Sequence, residues 1–318
     1  MNRLPVVVIL GPTAVGKTAL SLRLAETFQG EIISGDSMQV YRSMDIGTAK
    51  ASVEEREQVP HFGIDLVEPN ESYSAAHFQE MASHAITQIH SRGHMPIIAG
   101  GTGFYIESLL YAFPFDHDQG ETPARIKLQQ RLAEEGAEKL FSELQVIDPA
   151  YAEKIHLNDH LRIIRALEIF ETTGERVSER KEITSKIPVY DTFVIGLNMD
   201  RKKLYPRINR RVEMMFELGW EEEVRQLHLR YRERLDLPAL RSLGYKEIAW
   251  YFHGLTTRAE TIRLTQRNTR RFAKRQFSWF RHMQDIFWID LDENGLQNEQ
   301  WQMICDTIIK KFGRTPSE

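Results

Sequence analysis

The chain has 318 residues, of which 42% are hydrophobic and 27% are charged, and a formal net charge of −4. That length suffices for one large hydrophobic core and a second unit, and the composition is ordinary for a soluble globular protein. The single cysteine, Cys305, excludes an intrachain disulfide, and no run reaches the roughly 18 apolar residues of a membrane-spanning helix. These features favour a cytoplasmic protein with no membrane partner.

The first predicted elements surround a phosphate-binding loop. The apolar run Val6–Leu10 predicts a buried strand rather than a signal peptide, and Ala19–Glu26 predicts a helix. Between them, the pattern G-x-x-x-x-G-K-[ST] is matched in full by Gly11, Pro12, Thr13, Ala14, Val15, Gly16, Lys17 and Thr18. Backbone N–H groups of such a loop wrap a phosphate, Lys17 adds positive charge and the Thr18 hydroxyl can hold Mg²⁺. A glycine-rich turn without a ligand is the less favoured alternative.

Further apolar runs predict the other strands of a parallel sheet. They are Glu31–Ser34, Gly63–Val67, Met95–Ala99, Thr192–Leu197 and Ile286–Leu291. Helical periodicity between them, as in Ser74–Arg92, completes the strand–helix alternation of a doubly wound α/β fold with a P-loop core. Long helices are predicted at Lys203–Arg230 and Arg258–Arg281.

The alternation breaks between about Gln119 and Pro188, where the sequence is polar and helical. Asn158 or Asp159 is suited to cap the second helix of this stretch, and Gly174 is suited to end it. We therefore predict an α/β core formed by residues 1–118 and 189–318, with an inserted all-helical domain at 119–188.

The residues that follow each strand indicate where a ligand binds, because open α/β sheets bind ligands beyond the carboxyl ends of their strands. Asp36 and Gln39 follow the second strand, and Thr102 lies in the GGTG turn after the fourth. The topology places all three on the same edge of the sheet as Lys17. Two ordinary alternatives stay open, since Asp36 can cap a turn and GGTG can be only a tight turn.

The strand before GGTG lacks the terminal acid that usually positions Mg²⁺ in ATP hydrolases and kinases. Asp65 and Glu68 keep such an acid possible, but the set of residues expected for a nucleoside triphosphate is incomplete. The loop can therefore hold a different diphosphate. A P-loop kinase of a nucleotide or small metabolite is the alternative function, and a non-catalytic RNA-binding protein is a third hypothesis.

A basic helix is predicted near the end of an otherwise mildly acidic chain. Between Thr257 and Met283, Glu260 alone opposes Arg258, Arg263, Arg267, Arg270, Arg271, Lys274, Arg275 and Arg281. The interleaved aromatic residues are Phe272, Phe277, Trp279 and Phe280. A solvated helix normally mixes both signs of charge, so this pattern suits a phosphate backbone. The alternatives are a solvated face with aromatic residues in the core, and cations near the strand ends that hold a small diphosphate.

Eight segments between residue 11 and about residue 281 carry a more specific signal. In order, they are GPTAVGKTAL, SGDSMQVYRSMDIGTAK, SYSAAHF, MPIIAGGTGFYIESLL, HLNDHLRIIRALEIFETTG, RINRRVEMMFELGWEEEV, RSLGYKEIAWYFHG and TRRFAKRQFSWFR. Together they resemble the tRNA dimethylallyltransferase (tRNA isopentenyltransferase) family. Phe62 departs from the family where a second histidine is common, and Leu157 departs where a proline is common. Neither departure touches a strand-end residue, so we expect activity to survive both.

The resemblance implies transfer of a dimethylallyl group from dimethylallyl diphosphate to N6 of the adenosine 3′ of the anticodon (position 37) in tRNA. It implies Mg²⁺, the release of diphosphate and binding of the anticodon stem-loop, and we expect a monomer without an obligate protein partner. In this family pattern Asp36 matches the general base and Thr102 matches a hydroxyl at the reaction centre. Arg211 joins the loop at the diphosphate, and Thr18 is the metal-binding residue.

The resemblance also implies contacts with tRNA at several places in the chain. The residues at the acceptor adenosine and its neighbours are Asp36, Ser37, Met38, Gln39 and Thr102. Those in the insertion are His160, Leu161, Arg162, Ile163 and Ile164. Those in the C-terminal part are Arg241, Ser242, Leu243, Gly244, Tyr245, Lys246, Lys274, Arg275, Gln276, Phe277, Ser278, Trp279, Phe280 and Arg281.

Overall fold

The computed structural model describes residues 3–115, 122–179, 188–232 and 237–316. The chain forms two compact units, one of Met1–Phe113 with Pro188–Glu318 and the other of Pro114–Ile187. Among the described residues, no helix is both long enough and apolar enough to cross a bilayer.

The first unit is built on a six-stranded sheet in which every strand pair is parallel. Its strands are β1 (Pro5–Leu10), β2 (Gly30–Ser34), β3 (His61–Phe62), β4 (Met95–Gly100), β5 (Asp191–Met199) and β6 (Ile286–Leu291), in the spatial order β3-β2-β4-β1-β5-β6. In the centre, Val7 of β1 lies opposite Ile97 of β4 and Phe193 of β5. Central strands of a parallel sheet are covered on both faces, which explains their continuous apolar runs.

Helices surround this sheet and form the second unit. In chain order they are α1 (Lys17–Phe28), α2 (Val53–Gln58), α3 (Ala75–Ser91), α4 (Gly103–Leu110), α5 (Pro123–Glu135), α6 (Ala137–Ile147), α7 (Pro149–Ala152), α8 (His160–Thr173), α9 (Arg201–Glu217), α10 (Trp220–Arg230), α11 (Tyr245–Phe252), α12 (Arg258–Phe280) and α13 (Asn298–Phe312). Helices α5 to α8 belong to the second unit. The predicted α/β architecture with a parallel sheet is confirmed.

Two predicted elements of the first unit are wrong. Gly63–Val67 is not a strand, because Gly63 and Asp65 adopt φ angles of 78° and 55° that turn the backbone away after the two residues of β3. Lys203–Arg230 is not one helix, because Gly219 has a φ of 99° and separates α9 from α10. In both cases a left-handed residue stops an element whose apolar periodicity continues past it.

The second unit contains four α-helices and a short 3₁₀ turn at Val177–Glu179 among its described residues. Its apolar core comprises Leu128, Leu140, Leu144, Ala152, Ile163, Ile164, Ala166 and Leu167. Asp159 caps α8 by accepting a hydrogen bond from the Arg162 N–H, and Gly174 ends the helix in the left-handed region, as predicted. Buried Glu168 accepts hydrogen bonds from Thr122, Arg125 and Arg165. Burial alone would raise the pKa of Glu168, but these bonds hold it below its usual value.

A second core of the first unit forms around Trp220, which is 1% exposed. The indole packs edge-on against Phe216 and Tyr245. Gly47, in the MDIGTAK segment, and Gly244 both lie so close to this ring that a β-carbon at either position would overlap it. These glycines are therefore required by packing, and Gly244 additionally has a φ of 89°.

We predict that Gly244→Ala lowers the free energy of unfolding by at least about 2–3 kcal/mol, because the new methyl group must displace Trp220 from a filled core. Gly254→Ala is the matched control. Gly254 also has a positive φ, of 70°, but nothing lies within 4 Å of its β-carbon position. That control should cost only the backbone strain of about 1–2 kcal/mol. Urea unfolding followed by fluorescence measures both values, and equal losses would contradict the packing explanation.

Candidate active site

Three loops meet at the carboxyl edge of the central strands. They follow β1, β2 and β4, which are neighbours in the sheet. The Gly35 N–H donates to the Ala99 carbonyl at 2.9 Å, and the Thr102 N–H donates to the Gly35 carbonyl at 3.1 Å. Gly100 lies against the Gly35 backbone so closely that no side chain fits between them. The topology thus joins the loops after β2 and β4 by direct backbone contact.

The loop after β1 has the shape of an anion-binding loop. Ala14 and Gly16 adopt φ angles of 65° and 114°, and α1 begins at Lys17. Gly11 is required by close packing, because a β-carbon there would lie 2.9 Å from the Val15 side chain and 3.0 Å from the Leu197 carbonyl. Successive residues of this kind turn their N–H groups toward one point at a helix N-terminus, which is how such loops hold phosphates.

Lys17 is folded back onto its own loop. Its Nζ donates to the carbonyls of Gly11 and Pro12, both at 2.9 Å. Burial lowers the pKa of Lys17, nearby Arg211 lowers it as well, and Asp36 opposes both effects, so that the pKa lies at about 8. The ammonium group therefore lies in an environment that is short of negative charge.

Helix α9 brings two arginines to the same place. Arg211, predicted from the sequence, interacts electrostatically with Asp36 and Lys17, and burial lowers its pKa. Arg207 was not predicted; its Nε donates to the Ala14 carbonyl at 3.3 Å. The signal for it was present in RINRR, because residues four apart lie on one face of a helix.

Asp36 stabilises a turn and also lies close to the cationic loop. Its Oδ1 accepts a hydrogen bond from the Met38 N–H at 2.8 Å, so the carboxylate does stabilise a turn. It also interacts electrostatically with Lys17 and Arg211. Burial raises the pKa of Asp36, whereas the N–H groups of Met38 and Gln39 and the two cations oppose that rise. A carboxylate with a raised pKa beside a cationic loop is a candidate general base.

The Thr102 hydroxyl links the two loops beside Asp36. Its Oγ1 accepts a hydrogen bond from the Ser37 N–H at 3.0 Å and donates to Ser37 Oγ at 3.3 Å. Gln39 is instead occupied within the protein: its side chain accepts from Ser34 Oγ at 2.7 Å and donates to the carbonyls of Thr48 and Ala49. Gln39 thus holds the shape of the loop that carries Asp36.

The GGTG turn is a packing surface as well as a turn. A β-carbon on Gly101 would overlap the Gln276 amide, and one on Gly103 would overlap the Trp279 indole. Gln276 Oε1 accepts from the Thr13 N–H at 2.9 Å, and its Nε2 donates to the Gly101 carbonyl at 3.1 Å. Helix α12 therefore lies directly on the site.

Asp65 and Glu68, the two acids that left a kinase possible, are both engaged in ion pairs. Asp65 is paired with Lys50 at 2.6 Å and with Arg56 at 2.8 Å. Glu68 is paired with Arg42 and Arg230 and accepts a hydrogen bond from Tyr231. The described residues contain no cluster of three or more acidic, histidine or cysteine side chains suited to a metal ion. Thr18, in the first turn of α1, is exposed.

The outer face of α12 carries exposed cations. Arg267, Arg271, Lys274 and Arg275 are exposed and form no ion pair with the described residues. By contrast, Arg258 is paired with Glu221, and half-buried Arg270 donates to Asn209. The buried face of the helix consists of Thr261, Thr265, Thr269, Ala273, Gln276 and Phe280.

The segments predicted to contact tRNA divide into accessible and buried residues. His160, Leu161, Arg162, Arg241, Lys246, Lys274, Arg275, Ser278, Trp279 and Arg281 are exposed. Ser242, Leu243 and Phe277 are half-buried, and Phe277 packs against Trp288 and Arg281. Ile163, Ile164, Gly244, Tyr245, Gln276 and Phe280 are buried. The buried members can only support the surface that the others present.

The fold and the loop define a P-loop protein whose site joins a phosphate-binding loop to a half-buried carboxylate. A family model described as IPP transferase matches residues 39–283. A tRNA dimethylallyltransferase from Bacillus cytotoxicus is 47% identical over 293 residues, or 92% of each chain.

Two solved structures are also similar. The full-length tRNA isopentenylpyrophosphate transferase from Bacillus halodurans is 41% identical, with a TM-score of 0.71 and 98% of each chain covered. A eukaryotic dimethylallyltransferase described as acting on tRNA is 31% identical, with a TM-score of 0.82 over 99% of this chain and 81% of the other. The chain belongs to the IPP transferase family of tRNA-modifying prenyltransferases.

Proposed function

We propose that this protein transfers the dimethylallyl group of dimethylallyl diphosphate to N6 of adenosine 37, 3′ of the anticodon of tRNA, and releases diphosphate. The observation that supports this most directly is the joining of a cationic phosphate loop to the Asp36–Thr102 loops at one sheet edge. The names of the relatives point to the same reaction. The protein acts as a cytoplasmic monomer in this proposal.

The diphosphate of the donor binds in the Gly11–Thr18 loop. Its negative charge compensates Lys17 and Arg211, and Arg207 lies beside the loop at Ala14. As the C–O bond of the donor breaks, negative charge grows on the leaving oxygens and is met by N–H groups and cations already in place. Lys17 exchanges its two carbonyl acceptors for phosphate oxygens.

The acceptor adenosine lies on the Asp36 side of the site. The N6 amine is a poor nucleophile because its lone pair is delocalised into the ring. Asp36 takes the N6 proton as the new N–C bond forms, and Thr102 and Ser37 hold the backbone that positions the carboxylate. The base must leave its stack to reach this site, which costs less in a single-stranded loop than in a duplex.

The oxygen donors at the loop fit Mg²⁺. The Thr18 hydroxyl stands exposed at the start of α1, and Mg²⁺ is usually held by few protein oxygens together with substrate phosphates and waters. When bound, Mg²⁺ would neutralise part of the charge on the leaving diphosphate.

The tRNA backbone meets the exposed cations of α12 and the exposed residues of α8. Phosphate contacts of this kind fix the register of an RNA without reading its sequence. We propose that the helical second unit binds the anticodon stem through His160, Leu161 and Arg162, which are exposed at the start of α8.

The decisive experiment measures transfer from a labelled donor to two tRNAs by the purified protein. Labelled dimethylallyl diphosphate and unmodified tRNA should yield labelled tRNA with Mg²⁺ and without ATP. A tRNA in which adenosine 37 is replaced by guanosine is the control and should stay unlabelled. Strict dependence on ATP, or labelling of neither tRNA, would overturn the proposal.

Asp36→Asn should reduce turnover by about 10²- to 10⁴-fold while leaving tRNA affinity unchanged. The asparagine keeps an oxygen for the Met38 N–H, so the turn survives and only the base is removed. Single-turnover kinetics and filter binding measure the two quantities.

The pH profile provides a second check on Asp36. Its pKa is raised above the ordinary 3.8, and the base must be ionised, so wild-type turnover should fall on acidification at a pH above that value. Asp36→Asn should lack this acid limb. Near-normal turnover of the variant would show that Asp36 only stabilises the turn and is not the general base.

Replacing both Arg271 and Lys274 with glutamine should weaken tRNA binding. The slope of log affinity against log salt concentration should become shallower by up to about two units. The reason is that binding releases fewer counterions from the RNA for each phosphate contact that is lost. The control pair is Lys310→Gln with Lys311→Gln; Lys311 is paired with Asp191 at the start of β5, the opposite edge of the sheet. Equal slopes for the α12 variant and the wild type would show that Arg271 and Lys274 do not contact the RNA.

A further inference from the structure

Gln276 occupies an unusual position for a residue in an RNA-binding helix. Its side chain is buried, with 6% exposed, although Lys274 and Arg275 beside it are exposed. Both ends of the amide are used: Oε1 accepts from the Thr13 N–H at 2.9 Å and Nε2 donates to the Gly101 carbonyl at 3.1 Å. A single side chain of α12 therefore bonds to the phosphate loop and to the GGTG turn at once.

On the phosphate side, Gln276 shares one peptide group with Lys17. The Pro12 carbonyl accepts from Lys17 Nζ at 2.9 Å, and the N–H of the same peptide, on Thr13, donates to Gln276. When Lys17 turns toward a bound diphosphate, the carbonyl loses that donor. Gln276 then remains to hold this peptide group in the orientation that the loop requires.

On the acceptor side, the path continues to Asp36. Gly101 precedes Thr102, whose N–H donates to the Gly35 carbonyl and whose hydroxyl accepts from the Ser37 N–H. Asp36 lies between Gly35 and Ser37 in the chain. One hydrogen-bonded path from the phosphate loop to Asp36 thus passes through the Gln276 amide.

We infer that Gln276 is a positioning residue, which sets the separation between the donor-binding loop and the Asp36–Thr102 loops and links both to α12. This role rests on the proposed transfer reaction. It differs from RNA contact, because the amide is buried and occupied. It also differs from simple anchoring of the helix, because both bonds end on loops that hold the reacting groups.

The test replaces Gln276 with methionine, which has a similar shape and forms neither hydrogen bond. Turnover at saturating tRNA and donor should fall about 10- to 100-fold, since small misplacements of reacting groups cost this much, while tRNA affinity stays unchanged. Gln266→Met is the matched control on the same helix. Gln266 donates to the Asn209 carbonyl and to Glu213 Oε1 on α9, away from both loops, and its replacement should leave turnover intact.

A second variant reaches the same contact from the other side. Gly101→Ala displaces the Gln276 amide without changing it, because the new methyl group occupies its place. It should show the same loss of turnover. The double variant Gly101→Ala with Gln276→Met should lose little more than either single variant, because both act through one contact. If Gln276→Met does not fold, the turnover of Gly101→Ala tests the positioning role of Gln276 by itself.

The outcomes separate this role from the reaction on which it rests. A folded Gln276→Met enzyme with wild-type turnover overturns the inference and leaves the proposed function standing. The inference is also overturned if Gln276→Met loses only tRNA affinity, or if Gln266→Met loses as much turnover as Gln276→Met. A wild-type protein that transfers no dimethylallyl group to tRNA overturns the proposed function, and this role with it.

Discussion

An excess of positive charge at one edge of the sheet is the constraint on which the site depends. Lys17, Arg207 and Arg211 converge around the phosphate loop, and Asp36 offsets only part of their charge. Burial makes this imbalance costly, as the lowered pKa of Lys17 shows. A polyanionic ligand relieves that cost. The charge of the site therefore suits a ligand that carries phosphate groups.

The surroundings of that charge favour a transferase over a kinase. The loop alone suits either class, because both bind a diphosphate group. The difference lies in the carboxylates: Asp36 is half-buried beside the cations, whereas Asp65 and Glu68 are held in ion pairs of their own. A half-buried carboxylate next to a leaving diphosphate is suited to removing a proton from an incoming nucleophile.

Close packing of backbone accounts for the segments that are most distinctive in the sequence. Gly47 and Gly244 make room for Trp220, while Gly101 and Gly103 make room for α12. Helix α12 can approach because its inner face carries mainly short side chains, and its outer face remains free for cations. The same helix thus joins a surface suited to polyanions to the phosphate loop and the GGTG turn.

The amino-acid sequence by itself determined the elements and chemistry that depend on neighbouring residues. The phosphate loop, the apolar strands, the cap at Asp159 and the basic helix could all be predicted, because contiguous patterns encode them. Gly63–Val67 was mispredicted as a strand, since left-handed residues override its apolar pattern.

Only the tertiary structure decided which polar groups are engaged and which are left for a ligand. Thr13 and Gln276 are 263 residues apart, yet they share one hydrogen bond. The cationic surroundings of Asp36, the ion pairs of Asp65 with Lys50 and Arg56, and the contact of Arg207 with the loop likewise depend on distant partners. Burial and charge act through space, so these properties arise when the strands and helices pack and have no local signature.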